Sequence, residues 1–297
     1  MNTYGTFRRT RGKGESAVAF LYSGLYEPIP DVDLYLERID YHGDREPTLE
    51  NLKTLVKKHL THIPYGNLDF YPELNCPSLA IPDIFEKLVV RHGCGGCFEL
   101  NLLFFGLLRA LGYKLFTVTV RCLFGAEHPV VPTHCAAIVD LDGAPYYVDV
   151  GLGDCSPVVP VALDDCSPVA LVALDGEHGW QPETICPYYY SYKVRRDGRD
   201  VLLLGNNGQK QMSMVSFTME PVDVIDFIPL NYYACLAEES PVRRGVIVMI
   251  FTENGRVQIL KDKLTIMNGD TIEERRLETD EEFNEALRTV FGISYQS

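Results

Sequence analysis

Positive charge is scarce in this chain of 297 residues: 27 lysines and arginines face 41 aspartates and glutamates, a formal net charge of −14. That deficit argues against a nucleic-acid binder, whose affinity comes from neutralising phosphates with Lys and Arg. No apolar run reaches the roughly 20 residues that a membrane-spanning helix requires, so no membrane partner is expected. The first residues are basic (Arg8, Arg9, Arg11, Lys13) and then apolar from Ala17 to Leu25, but no clear cleavage pattern follows. A cytoplasmic setting is the expectation. A disulfide framework is missing too. The nine cysteines (76, 94, 97, 122, 135, 155, 166, 186 and 235) are odd in number and scattered, which reads as reduced thiols. Finally, the single C-x-x-C, Cys94-Gly95-Gly96-Cys97, has no second C-x-x-C or H-x-x-x-H to complete a zinc site, so no metal is expected.

What is present points to acyl chemistry on a thiol. Cys97 follows a glycine run, and an apolar periodicity begins just beyond it at Leu100, Leu103, Phe104, Leu107, Leu108 and Leu111. A helix starting near Cys97 aims unpaired N–H groups and the positive end of its dipole at the sulfur, which favours a nucleophilic thiolate. The preceding glycines allow a substrate to approach the backbone closely. His134 stands immediately before the apolar run Cys135–Val139, and Asp149 lies in Tyr146-Tyr147-Val148-Asp149-Val150-Gly151. Asp142-Gly143 between the runs is a hairpin signal, which makes His134 and Asp149 cross-strand neighbours. A carboxylate buried there needs a hydrogen-bond donor, and an imidazole N–H supplies one while leaving its other nitrogen for the thiol. Each residue alone has a plainer reading: a small buried hydrophobe, a hydrogen-bonded histidine, a loop-capping aspartate. Their joint occurrence in suitable settings weakens those readings. Two other chemistries stay open. One is a thiol–disulfide redox pair at Cys94 and Cys97; the other is a cysteine hydrolase or transglutaminase-like enzyme using the same Cys–His–Asp set.

Several segments resemble the arylamine N-acetyltransferases. The family pattern R-G-G-x-C-F/L-E/Q-x-N is approximated from Gly93 to Asn101. Thr133-His134 and Val148-Asp149-Val150-Gly151-Leu152-Gly153 resemble T-H and V-D-V-G-F-G. Upstream, Tyr35–Ile39 and His59–Asp69 resemble Y-F-x-R-I and H-x-x-x-I-P-F-E-N-L, and the resemblance runs from about residue 32 to 294. It implies a catalytic triad of Cys97, His134 and Asp149 in a cysteine-protease-like arrangement. The implied co-substrate is acetyl-CoA or another acyl-CoA such as malonyl-CoA, without metal. The implied acceptor is an arylamine, hydrazine or arylhydroxylamine, acylated by ping-pong in xenobiotic metabolism. Phe98, Phe124 and Thr133 are candidates for the acceptor pocket, with ordinary packing as their alternative. Two departures stand out: the family's R-G-G arginine falls on Gly93 and the glutamate of P-F-E-N on Gly66. Losing both avoids the uncompensated charge that losing one would leave, and Arg91 is a candidate stand-in. An outlying alternative is a non-catalytic homologue that only binds acyl-CoA or a partner, and these two changes are its only support.

The expected fold class is α+β. Residues 1–31 form an N-terminal extension, 32–112 a helical domain carrying the nucleophile, 113–218 a β-barrel-like domain carrying the histidine and aspartate, and 219–297 an α/β lid. Thr48 is the expected N-cap of a helix through Leu60, and Pro82-Asp83 leads into another. Asp154–Asp164 is nearly repeated by Asp165–Asp175, a tandem duplication too short for a solenoid. It is expected as a loop, either shaping the substrate mouth or tolerated at the surface. Oligomeric state is not legible.

Overall fold

Thr48 accepts a hydrogen bond from Asn51 N at 3.3 Å and starts α2 (Leu49–His62), as its side chain chemistry predicts. Leu52, Leu55, Val56 and Leu60 of that helix are buried. His59 joins them, its Nδ1 paired at 2.8 Å with the hydroxyl of Tyr35 on α1 (Val32–Arg38). The computed structural model describes residues 22–126, 128–163, 191–206 and 210–293. The second copy of the tandem segment, residues 165–175, lies outside these.

After α2 comes a two-residue strand, β1 (Tyr65–Gly66), then α3 (Ile81–Phe85), which continues into a π-helical turn over Glu86–Val90. The helical segment ends in α4 (Cys97–Ala110). Leu103, Phe104, Phe105, Leu107 and Leu108 of α4 are fully buried, so the helix is enclosed on nearly all sides rather than amphipathic. At about 1.5–3 kcal/mol for each large apolar side chain removed from water, this helix is firmly anchored.

A seven-stranded antiparallel sheet follows, comprising β2 (Lys114–Cys122), β3 (His134–Leu141), β4 (Ala144–Val148), β5 (Val161–Ala162), β6 (Ser191–Asp197), β7 (Asp200–Asn206) and β8 (Gln211–Thr218). Its order is β5-β4-β3-β2-β8-β7-β6. The β3–β4 connection is the expected two-residue turn, with Asp142 and Gly143 at φ of 55° and 89°. Strand β3 is buried on both faces. Cys135, Ala137 and Val139 join the helical core around α4, while Ala136 and Ile138 join Val118, Val120, Tyr147, Leu203 and Phe217 inside the sheet. The first tandem copy is not purely loop, since it supplies β5, which pairs with Tyr146 and Tyr147.

The last third begins with α5 (Phe227–Leu236) and continues as β9 (Ile247–Thr252), β10 (Gly255–Leu260), β11 (Lys263–Asn268) and β12 (Thr271–Arg276), ending in α6 (Asp280–Val290). The four strands form an antiparallel sheet whose edge next to β9 is completed by β1. That pairing ties the last third to the segment preceding the nucleophile helix. No helix among the described residues is long and apolar enough to cross a membrane.

Candidate active site

Cys97 is the first residue of α4. Gly96 precedes it in extended conformation, and the Gly96 carbonyl accepts the first helical bond, from Leu100 N at 3.0 Å. Glu99 turns back and accepts from Gly96 N at 3.0 Å, so the loop-to-helix corner that presents the sulfur is held by the helix's own third residue. The Cys97 Sγ lies 3.8 Å from the Thr133 carbonyl oxygen, directly before β3.

The structure brings His134 and Asp149 to this corner. Both are buried, and His134 Nε2 sits 2.7 Å from Asp149 Oδ2. They are diagonal neighbours rather than directly opposite ones, because the β3–β4 ladder pairs Ala137 with Val148. With Nε2 committed to the carboxylate, Nδ1 is the nitrogen left for Cys97. Burial alone disfavours the imidazolium, but the Asp149 charge and hydrogen bond, with the Cys97 sulfur beside it, outweigh that and raise the histidine to about 10.

Asp149 has a donor for each lone-pair direction. Oδ2 also accepts from Tyr147 OH at 2.8 Å, and Oδ1 accepts from Asn101 Nδ2 and Gly151 N, both at 2.9 Å. Burial opposes its ionisation, yet His134 and these donors hold the carboxyl below its usual range. Asn101 and Tyr147 were not singled out from the sequence, although Asn101 stands inside a segment that carries the resemblance and Tyr147 immediately precedes another. Asn101 lies one turn along α4 from Cys97. It also donates to Cys135 O at 2.8 Å and accepts from Val150 N at 2.9 Å, so one amide joins the nucleophile helix to β3 and to the segment just after β4. Where the chain leaves Asp149 it runs against the start of α4: a Cβ on Gly151 would lie 2.7 Å from the Cys97 carbonyl oxygen. Only glycine allows that approach.

The departure at Gly66 has a local explanation. A Cβ on Gly66 would meet the Cys94 Sγ at 2.5 Å, so the Cys94 thiol occupies the space beside β1. The Cys94 thiol is buried, and burial pushes it up to about 12. It is thus a packed hydrophobe, which leaves the C-x-x-C redox reading without support. Arg91 is not the substitute cation. It is largely exposed and sits 3.6 Å from Glu86. The cation at the helix start is Lys87, whose Nζ is 2.6 Å from Glu99 Oε1 and also pairs with Asp69. Burial opposes its charge, but the two carboxylates outweigh that and push its pKa up.

Of the three acceptor-pocket candidates, Thr133 is at the sulfur through its carbonyl. Phe98 is buried, its ring centroid 5.7 Å from that of Phe227 on α5. Phe124 is 47% exposed at a positive φ of 44° after the end of β2. Among the described residues no cluster of three or more His, Cys, Asp or Glu is arranged to hold a metal ion.

The sequence profile of the N-acetyltransferase family matches residues 48–297. The arylamine N-acetyltransferase of Mycobacterium tuberculosis is 30% identical over 271 residues, covering 89% of each chain. Arylamine N-acetyltransferase 1 of Bos taurus is 26% identical over 298 residues, covering 90% of this chain and 95% of the relative. Among solved structures, the M. tuberculosis arylamine N-acetyltransferase superimposes with a TM-score of 0.78 at 27% identity, covering 89% of this chain and 94% of that one. The Mycobacterium marinum arylamine N-acetyltransferase in complex with CoA gives 0.77 at 25% identity, covering 89% and 93%. With the α+β fold shared and a Cys, His and Asp gathered at the start of α4, the chain belongs to the arylamine N-acetyltransferase family.

Proposed function

We propose that this chain is an acyl-CoA-dependent N-acyltransferase that acylates arylamines, hydrazines or arylhydroxylamines by ping-pong, working in the cytoplasm. The observation that carries the reading is the Cys97 sulfur at the start of a buried helix, backed by His134 and an Asp149 with four hydrogen-bond donors. In the first half-reaction the Cys97 sulfur attacks the thioester carbonyl of the acyl-CoA, its proton taken up by His134 Nδ1 or already held there as an ion pair with the imidazolium. The tetrahedral intermediate collapses to an acyl-enzyme, and CoA leaves as a thiol with that proton. First-turn N–H groups of α4, which have no intrahelical acceptor, suit the developing oxyanion. In the second half-reaction the acceptor nitrogen attacks the Cys97 thioester while His134 takes the amine proton and returns it to the departing sulfur. Asp149 holds the imidazole in one tautomer and stabilises the imidazolium.

Thr133 and Phe124 are proposed to line the acceptor side, with Phe98 shaping it from behind. The acyl group is acetyl or a larger acyl such as malonyl, and the mass of the acyl-enzyme separates them. Initial-rate kinetics test the cycle. Parallel double-reciprocal lines, with one equivalent of CoA released in the absence of acceptor, are expected. Continuous CoA release without acceptor would instead identify a hydrolase.

A further inference from the structure

Away from the triad, two thiols 159 positions apart in sequence share one side chain. Cys76 lies in the segment that leads into α3, and Cys235 lies near the end of α5. Asn231, one turn before Cys235 on α5, donates from Nδ2 to Cys76 Sγ at 3.2 Å, and its Oδ1 accepts from Cys235 Sγ at 3.5 Å. The same Nδ2 also donates to Pro77 O at 3.1 Å, which fixes the amide orientation. The shared amide thus places the two thiols side by side between α5 and the segment before α3. No disulfide is formed between them.

The two members differ in the way a redox pair requires. Cys76 is half-buried and reachable from solvent, whereas Cys235 is buried. The Cys235 thiol beside it holds the Cys76 pKa below the usual thiol range, while the neighbouring Cys76 and burial raise that of Cys235. An accessible thiol with thiolate character beside a buried partner is the arrangement of an attacking and a resolving cysteine. Two other described thiols outside the triad contrast with it. Cys94 and Cys135 are buried with raised pKa values, and neither is bridged to a second sulfur by a shared side chain.

We propose that Cys76 and Cys235 are a reversible thiol–disulfide modification site, separate from the acyl-transfer triad, with a hydroperoxide as oxidant. The Cys76 thiolate attacks the peroxide oxygen and the O–O bond breaks. The departing oxygen takes up a proton from solvent, where the Cys76 proton went on ionisation, and leaves as water or alcohol, and Cys76 becomes a sulfenic acid. The Cys235 sulfur then attacks the Cys76 sulfur, the S–O bond breaks, and water leaves carrying the Cys235 proton. Two thiols are oxidised and one peroxide is reduced. The resulting bond ties the segment before α3 to α5, the helix whose Phe227 ring packs on Phe98 next to the nucleophile. The inference does not rest on the acyl-transfer reading.

The test is to treat the full-length, folded chain with hydrogen peroxide, block remaining thiols with iodoacetamide, and map peptides without reduction. The expected result is a Cys76–Cys235 cross-linked peptide pair that disappears after dithiothreitol. In Cys235→Ser, Cys76 is expected to accumulate as a sulfenic acid trapped by dimedone. In Cys76→Ser, Cys235 is expected to be recovered unoxidised. Near-UV circular dichroism checks that both variants fold, and the wild-type map decides alone if either does not. Recovery of both thiols reduced while Cys97 is oxidised would overturn the proposal. So would Cys76 linked to any other cysteine.

Discussion

Asn101 Nδ2 donates to Asp149 Oδ1 at 2.9 Å, across 48 positions of sequence. Because Asn101 stands one turn from Cys97 on α4, this bond fixes the distance between the nucleophile helix and the carboxylate that orients His134. Asn101→Ala removes it together with the bonds to Cys135 O and Val150 N, leaving buried polar groups unsatisfied. At about 1–3 kcal/mol for each group so left, the fold should lose several kcal/mol. A displaced triad should also cost on the order of 10²-fold in turnover. Denaturant unfolding and kcat/KM check the two effects. Full activity in a folded Asn101→Ala protein would remove Asn101 from the site.

Asp149 sets the charge state of its histidine. His134 is held at about 10 against an ordinary 6.5, so this pair's contribution to stability is complete below about pH 6.5 and is lost as pH rises through about 10. The Asp149 carboxyl is depressed, so its contribution is present above its ordinary value of 3.8 and is lost as pH falls through the lower folded value. Asp149→Asn keeps the shape and removes the charge. Burial then dominates and drives His134 downward. The alkaline limit of kcat/KM should move to lower pH, and the rate should fall by up to about 10⁴-fold with the fold intact. An unchanged pH profile at full activity would make Asp149 a structural residue.

The buried ion pair of Lys87 with Glu99 holds the corner on which Cys97 sits. Lys87→Met leaves Glu99 and Asp69 without their shared cation, a change expected to cost about 3–5 kcal/mol. Adding Glu99→Gln to that variant should recover part of the loss, because one buried charge goes with its partner. Thermal unfolding of the two single variants and the double variant gives the coupling. Additive losses would show that the pair carries no structural role.

The Gly66–Cys94 contact makes a reciprocal prediction. Gly66→Ala places a methyl group 2.5 Å from the Cys94 sulfur and should destabilise by about 1–3 kcal/mol. Cys94→Gly in the same chain opens that space and should restore stability relative to Gly66→Ala alone. If Gly66→Ala unfolds at the wild-type midpoint, the contact is looser than described.

The grouping of Cys97, His134 and Asp149 was legible in the sequence because each member is announced locally. A glycine run ends at a helical apolar period for Cys97, and a turn dipeptide joins two strand-like runs for His134 and Asp149. Their diagonal offset was not legible, since register depends on which residues of β3 and β4 pair. Helix α5 escaped for a physical reason: Phe227-Ile228-Pro229-Leu230 is apolar all round, so no amphipathic face marks it. Strand β12 escaped for the opposite reason. Its residues are all exposed and mostly charged, and it exists by pairing with β11. Lys87 and Asn101 act through partners 12 and 48 positions away, Glu99 and Asp149, which only the folded chain brings together.

The central claim is that Cys97 carries the acyl group. Intact-protein mass spectrometry after incubation with acetyl-CoA, and separately with malonyl-CoA, without acceptor and followed by peptide mapping, tests it most directly. One acyl adduct per chain on Cys97 is predicted with the true donor, absent in Cys97→Ser and retained in Cys94→Ser. A folded chain with an alkylatable Cys97 that takes up neither acyl group, or that carries it on another residue, would contradict the account.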